Sequence, residues 1–169
     1  PIVASKLSLP KIKAASHLLS DFLDPILMQQ YEECMCDSVD DVEVPRAFLI
    51  ATQAEWRAAL RRMARIAMVT FETTSSRDPA LSAGAFARLK PNGSQRLICD
   101  RRPANSCETL LGSVDLPSAS RFTRLLVPAT HTVSCTLRDL QDMYFLFDVG
   151  PKRVQAQAWG PRVPASWFQ

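Results

Sequence analysis

No stretch of this sequence stays apolar for the roughly 20 residues a membrane-spanning helix needs, and its first residues lack the basic, apolar and small-residue order of a signal peptide. The expectation is a soluble, intracellular protein, cytoplasmic or nuclear, with no membrane partner. Histidine is nearly missing, with only His17 and His131. The five cysteines, Cys34, Cys36, Cys99, Cys107 and Cys135, are odd in number and follow neither a secreted disulfide framework nor a standard zinc finger. Reduced, incidental thiols are therefore expected. Low-complexity runs are absent and 22% of residues are charged, which argues against disorder. Excess charge is also small: a formal net charge of +3 does not mark a nucleic-acid binder, so only the placement of the basic residues can. Five glycines against twelve prolines point to rigid, irregular connections.

What is present is a chain of 169 residues, 47% of them apolar, enough for one sizeable core. Two stretches with helical spacing, KIKAASHLLSDFL and PILMQQYEECM, occupy residues 11–35, with Pro25 suited to the first turn of the second. An acidic run from Asp37 to Glu43 and then Pro45 break the pattern, which sets residues 1–45 apart as an N-terminal helical segment with an acidic linker and leaves 46–169 as the main unit. Thr52 and Glu55 have capping-box spacing ahead of Trp56, Leu60, Met63 and Ala67, which recur on one face of the best helix in the chain. The turn formers of residues 73–84 precede a β-hairpin over about 85–100, signalled by Asn92-Gly93 between AFARLK and RLICD. Beyond it the pattern predicts a short helix opened by Pro117 and Ser118, a strand at VSCTLRDL, and a strand at VQAQAW. The fold class expected is α+β. The ending Trp167-Phe168-Gln169, with no helix stop signal, reads as a cut.

Chemistry can reside in two places. The hairpin and its exit collect Arg88, Lys90, Arg96, Arg101 and Arg102 around the single acid Asp100. Paired strands bring Lys90 and Arg96 to one end of the ribbon, where they can share an anion such as a triphosphate or a nucleic-acid backbone. The same residues would also serve as ordinary charges on a solvated hairpin. The second place is Asp139, at the end of the expected strand, with Tyr144 five residues on. A strand-end carboxylate can hold a metal rigidly, although such an Asp also commonly serves as a cap or turn residue. His131, Ser134 and Cys135 lie too close along one strand, on alternating faces, to converge with Asp139 as a hydrolase triad.

In order along the chain these residues resemble the reverse transcriptase family, of retroelement type. Lys90, Asn92, Gly93, Arg96, Ile98, Asp100, Arg102 and Asn105 follow the pattern K-x-[DN]-G-x-x-R-x-[LIV]-x-D-x-R-x-x-N of a fingers hairpin, and Asp139 and Tyr144 follow the first palm motif, D-x-x-x-x-Y. LPSASRFTRLL, residues 116–126, looks like the proline-led helix that the family places between them.

The resemblance implies the fingers and part of the palm of a right-hand polymerase, with an N-terminal helical region. Lys90 and Arg96 would hold a deoxynucleoside triphosphate, and the Asp142 and Met143 amides would meet its phosphates. Asp139 and the Leu140 carbonyl would bind magnesium or manganese. Asp100, Arg102 and Asn105 would be fingers scaffold or template contacts. Tyr144 would lie beneath the sugar and exclude a 2′-hydroxyl.

Two departures stand out: Arg138 occupies a position where the family more often has an apolar or small residue, and the stretch between Leu126 and Asp139 is longer than usual. Two-metal nucleotidyl transfer also needs carboxylates that hold ions about 3.5 to 4 Å apart, and the second palm motif, aromatic-x-Asp-Asp, does not occur in these 169 residues. The implied parent activity is RNA-directed DNA polymerisation on an RNA or DNA template-primer, with the remainder of the polymerase chain as a partner. This chain alone is expected to be inactive. A non-catalytic nucleic-acid-binding remnant of such a polymerase, or a plain globular domain, would carry the same residues.

Overall fold

The computed structural model describes residues 1–11, 17–34, 43–72, 78–109, 126–134, 136, 145 and 147–168. Among them are four strands, β1 (His17–Leu18), β2 (Gly84–Leu89), β3 (Gln95–Asp100) and β4 (Phe147–Asp148), and four α-helices, α1 (Pro25–Glu33), α2 (Gln53–Arg65), α3 (Arg102–Asn105) and α4 (Pro151–Ala156). Both helix and strand are present, with small sheets. No described helix is long and apolar enough to cross a membrane.

Helix α2 forms where its sequence says it should. Thr52 caps it, its Oγ1 accepting from the Glu55 amide at 3.2 Å. The reciprocal half of a capping box is not made, because the Glu55 carboxylate accepts from the Ala4 amide instead, at 2.6 Å. At the other end the Met68 amide reaches the Met63 carbonyl and the Ala67 amide reaches Ala64, closing the last turn in a Schellman arrangement. Ala67 takes the left-handed position this requires, with φ 56°. One face of α2 buries Trp56, Ala59, Leu60 and Met63.

That face packs on the hairpin and on the first residues of the chain. Ile2, Ala4 and Leu7 join Trp56, Ala59, Leu60, Met63, Ala85 and Trp167 in one core. Residues 1–9, grouped with the N-terminal segment by the sequence pattern, thus pack with α2 and the hairpin. Their backbone is tied in as well: the Ile2 amide donates to Ile50, the Ser8 amide to Gln95, and the Val3 amide to the Gln95 side chain at 2.8 Å. Leu7 bridges Gln95 on the outer edge of β3, and Leu49 bridges Ala85 on the outer edge of β2, so both edges of the hairpin gain a neighbour. Gly84 permits the second contact, since a Cβ there would stand 2.5 Å from the Phe48 carbonyl oxygen.

Away from this core, the two short strands pair with each other. Strand β1 pairs in parallel with β4, His17 opposite Phe147 and Leu18 opposite Asp148, and Phe22 packs edge-on against Phe147 at 5.4 Å. Helix α1 begins with Pro25 in its first turn and Asp24 as cap, Oδ1 accepting from the Ile26 amide at 2.8 Å.

Two sequence expectations are corrected here. The helical stretch expected over residues 11–23 is not helical from 17 to 23, where His17–Leu18 is a strand and Leu19–Asp21 a 3-10 turn, because β4 supplies backbone partners that helical periodicity cannot anticipate; residues 12–16 lie outside the described ones. VQAQAW is not a strand either, for residues 151–156 are helical. Gly150, at φ 82°, turns the chain into α4, Pro151 starts it, and the i, i+3 pair Arg153 and Ala156 is buried. Burial at helical spacing overrides the local alternation. The region expected to form the strand VSCTLRDL has no strand at 133, 134 or 136, and its other residues lie outside the described ones. So does the expected helix of 116–126, apart from Leu126.

Candidate functional site

The hairpin presents its two faces differently. Register pairs Ala85 with Cys99, Ala87 with Leu97 and Leu89 with Gln95, and Gly84 with Asp100, Phe86 with Ile98 and Arg88 with Arg96. Because side chains alternate along a strand, Ala85, Ala87 and Leu97 turn to the core while Phe86, Ile98, Arg88 and Arg96 share the opposite face. There the half-buried Phe86 and Ile98 adjoin the exposed Arg88 and Arg96. Two like charges directly opposite each other destabilise a hairpin. Neither arginine meets a carboxylate among the described residues.

The loop sets the third cation. Gly93 donates to the Lys90 carbonyl at 3.0 Å, and Lys90 donates to the Ser94 carbonyl at 2.7 Å. Gly93 at φ 78° makes the left-handed step, and Asn92 Oδ1 accepts from the Ser94 amide at 3.1 Å. The connection is therefore longer than the two-residue Asn-Gly turn. Lys90 is steadied by a neutral partner, its Nζ donating to Ser8 Oγ at 2.9 Å, and it meets no carboxylate among the described residues.

The two arginines at the hairpin exit behave otherwise. Arg102 forms a bidentate pair with Asp100, Nε to Oδ1 at 2.8 Å and NH2 to Oδ2 at 2.7 Å, and its amide also donates to Oδ1. The Arg102 side-chain hydrogen bonds hold the Asp100 carboxyl below the usual carboxylate range, and Asp100 in turn raises the Arg102 pKa. Arg101 pairs with Glu108 at 2.6 Å. Of the five basic residues that the sequence groups here, Arg101 and Arg102 are thus neutralised by acids, and Arg88, Lys90 and Arg96 have no carboxylate partner among the described residues. Asn105 ends α3, exposed.

Asp139, Leu140, Asp142, Met143 and Tyr144 lie outside the described residues. The described residues contain no group of three histidine, cysteine or acidic side chains able to hold a metal ion, so the magnesium assignment rests on Asp139 and Leu140 alone.

Sequence reasoning passed over one charged network. Arg153, buried in α4, lies over the Tyr31 ring at 4.3 Å. It donates to Glu108 Oε2 at 3.2 Å and to Cys34 Sγ at 3.5 Å. Burial alone would lower the Arg153 pKa, but Tyr31, Glu108 and Cys34 outweigh it and leave the pKa raised. Glu108 therefore sits between Arg101 and Arg153 and ties the segment after α3 to α4, while Arg153 carries the network on to Tyr31 of α1 and to Cys34. No spacing in the sequence links Tyr31, Glu108 and Arg153.

No protein-family model, curated protein or solved structure matches this chain.

Proposed function

We propose that this chain is the fingers and the start of the palm of a retroelement reverse transcriptase, whose complete form copies RNA into DNA by nucleotidyl transfer. The observation that carries the reading is the hairpin face on which Arg88, Lys90 and Arg96 stand without a described carboxylate partner, inside the ordered motif that runs from Lys90 to Asn105. A triphosphate offers the charge that this face lacks. Arg96 would make charge-assisted hydrogen bonds to phosphate oxygens in a fork geometry, and Lys90 would act as a point charge beside it. The bidentate Asp100–Arg102 pair favours a scaffold role for these two residues, since each already neutralises the other's charge. Magnesium, held at Asp139 in the complete site, would activate the primer hydroxyl and steady the transferring phosphate.

The test is titration of the chain with a fluorescent deoxynucleoside triphosphate in magnesium buffer. Arg96→Gln and Lys90→Gln should each weaken binding about tenfold, the scale of a lost hydrogen bond to a charged group. Unchanged affinity in both variants would overturn the reading. In a chain that also carries the rest of the palm, Asp139→Ala should abolish primer extension and Tyr144→Ala should relax discrimination against ribonucleotides.

A further inference from the structure

We infer that the outer face of α2 is a second anion-binding surface, one that holds the phosphodiester backbone of a nucleic-acid strand without reading its sequence. The inference goes beyond the nucleotide-binding hairpin and stands on α2 alone. Arg57, Arg61 and Arg65 recur every four residues, one above another at about 6 Å along the axis, and Arg62 lies at the edge of the same side. Opposite them, Trp56, Ala59, Leu60 and Met63 face the core. The four arginines line an open groove of about 520 Å³ with Ala4, Ser5, Ala54 and Ala58.

Their charge is not compensated within the described structure. Arg61 Nε donates to the Trp167 carbonyl at 2.9 Å, and Arg62 donates to the Ala4 and Leu7 carbonyls. These acceptors are neutral, so they orient the guanidinium groups and leave the positive charge in place. Arg57 Nε is buried with no acceptor among the described residues. Glu55, the one acid of the helix, accepts from the amide of Ala4 at the groove's edge and forms no ion pair with any of the four arginines. Four positive charges along one groove create a local field that the net charge of +3 hides.

The groove's other lining distinguishes between polyanions. Ala4, Ser5, Ala54 and Ala58 are small and offer no pocket for an anchoring aromatic or aliphatic side chain, which a specific protein partner would need. A shallow surface with arginine at every turn suits a repeating phosphate backbone, whose contacts position a strand and carry no sequence information.

The experiment is fluorescence anisotropy with labelled 20-nucleotide oligo-uridine and oligo-thymidine across a salt series, with polyglutamate as competitor. Variants pair Arg57→Gln with Arg65→Gln, sparing the two arginines that hold backbone carbonyls, and a separate Arg88→Gln with Arg96→Gln tests the hairpin. Losing two phosphate contacts should reduce the salt slope by about 1.4 and weaken binding about fivefold at moderate salt for both oligonucleotides. Arg57→Lys with Arg65→Lys should restore most of the slope, which separates lost charge from lost folding. An unchanged slope in the α2 glutamine variant would overturn the inference, as would polyglutamate competing as well as nucleic acid, or a wild-type chain that binds neither oligonucleotide. A slope reduced only by the hairpin variant would also overturn it while leaving the nucleotide reading intact. A slope reduced only by the α2 variant would support it and count against the hairpin as a nucleic-acid contact.

Discussion

Arg88 and Arg96 face each other across the hairpin register, a like-charge pairing that costs stability. Arg96→Thr should therefore raise chain stability by about 0.5 kcal/mol in urea denaturation while lowering triphosphate affinity; a fall in both would show that Arg96 supports the fold. Asp100 permits a test by pH. Its carboxyl, held down by Arg102, should titrate below the ordinary value of about 3.9 when followed by carbon NMR. The stabilisation from the pair should be fully present above that ordinary value and be lost as pH falls through the lower folded one. Arg102→Gln should return the midpoint toward the ordinary range. The candidate residues themselves could be read from the sequence, because spacing along a hairpin dictates which side chains share a face. Which of them are neutralised could not, since Glu108 reaches Arg101 only after the chain turns through α3.

The elements differ in how much local sequence controls them. Helix α2 needs little beyond its own residues: Thr52 caps it, an apolar stripe defines its buried face, and only its left-handed terminus runs against residue preference. A left-handed non-glycine residue costs about 1 kcal/mol, so Ala67→Gly should raise the thermal midpoint by several degrees in calorimetry. At the start of β2, Gly84→Ala should destabilise the chain by about 2 kcal/mol, because the added methyl would press on the Phe48 backbone; chemical denaturation reads the difference. The hairpin was legible because Pro91, Asn92 and Gly93 each suit a turn position. Strand β1 and helix α4 were not, since two residues of strand and six of helix hold their form through what they pack against rather than through their own periodicity.

Across the whole molecule, Glu108 joins two distant parts of the chain, pairing with Arg101 just before α3 and with Arg153 in α4. Removing the single acid would leave two cations uncompensated, one of them buried, so Glu108→Ala should cost about 3 kcal/mol and speed hydrogen exchange in α1 and α4 ahead of α2. Uniform exchange would show that the network does not hold α1 and α4 in place. By itself the sequence determined α2, the hairpin and its cationic face, and the order of residues that resembles a polymerase, because each depends on neighbours within a few positions. Only the tertiary structure decided that residues 1–9 belong to the core, that His17–Leu18 pairs with Phe147–Asp148, and that the arginines of α2 line a groove without described carboxylate partners. Those outcomes turn on contacts between distant segments, where burial and charge pairing are settled by three-dimensional proximity that no local pattern encodes.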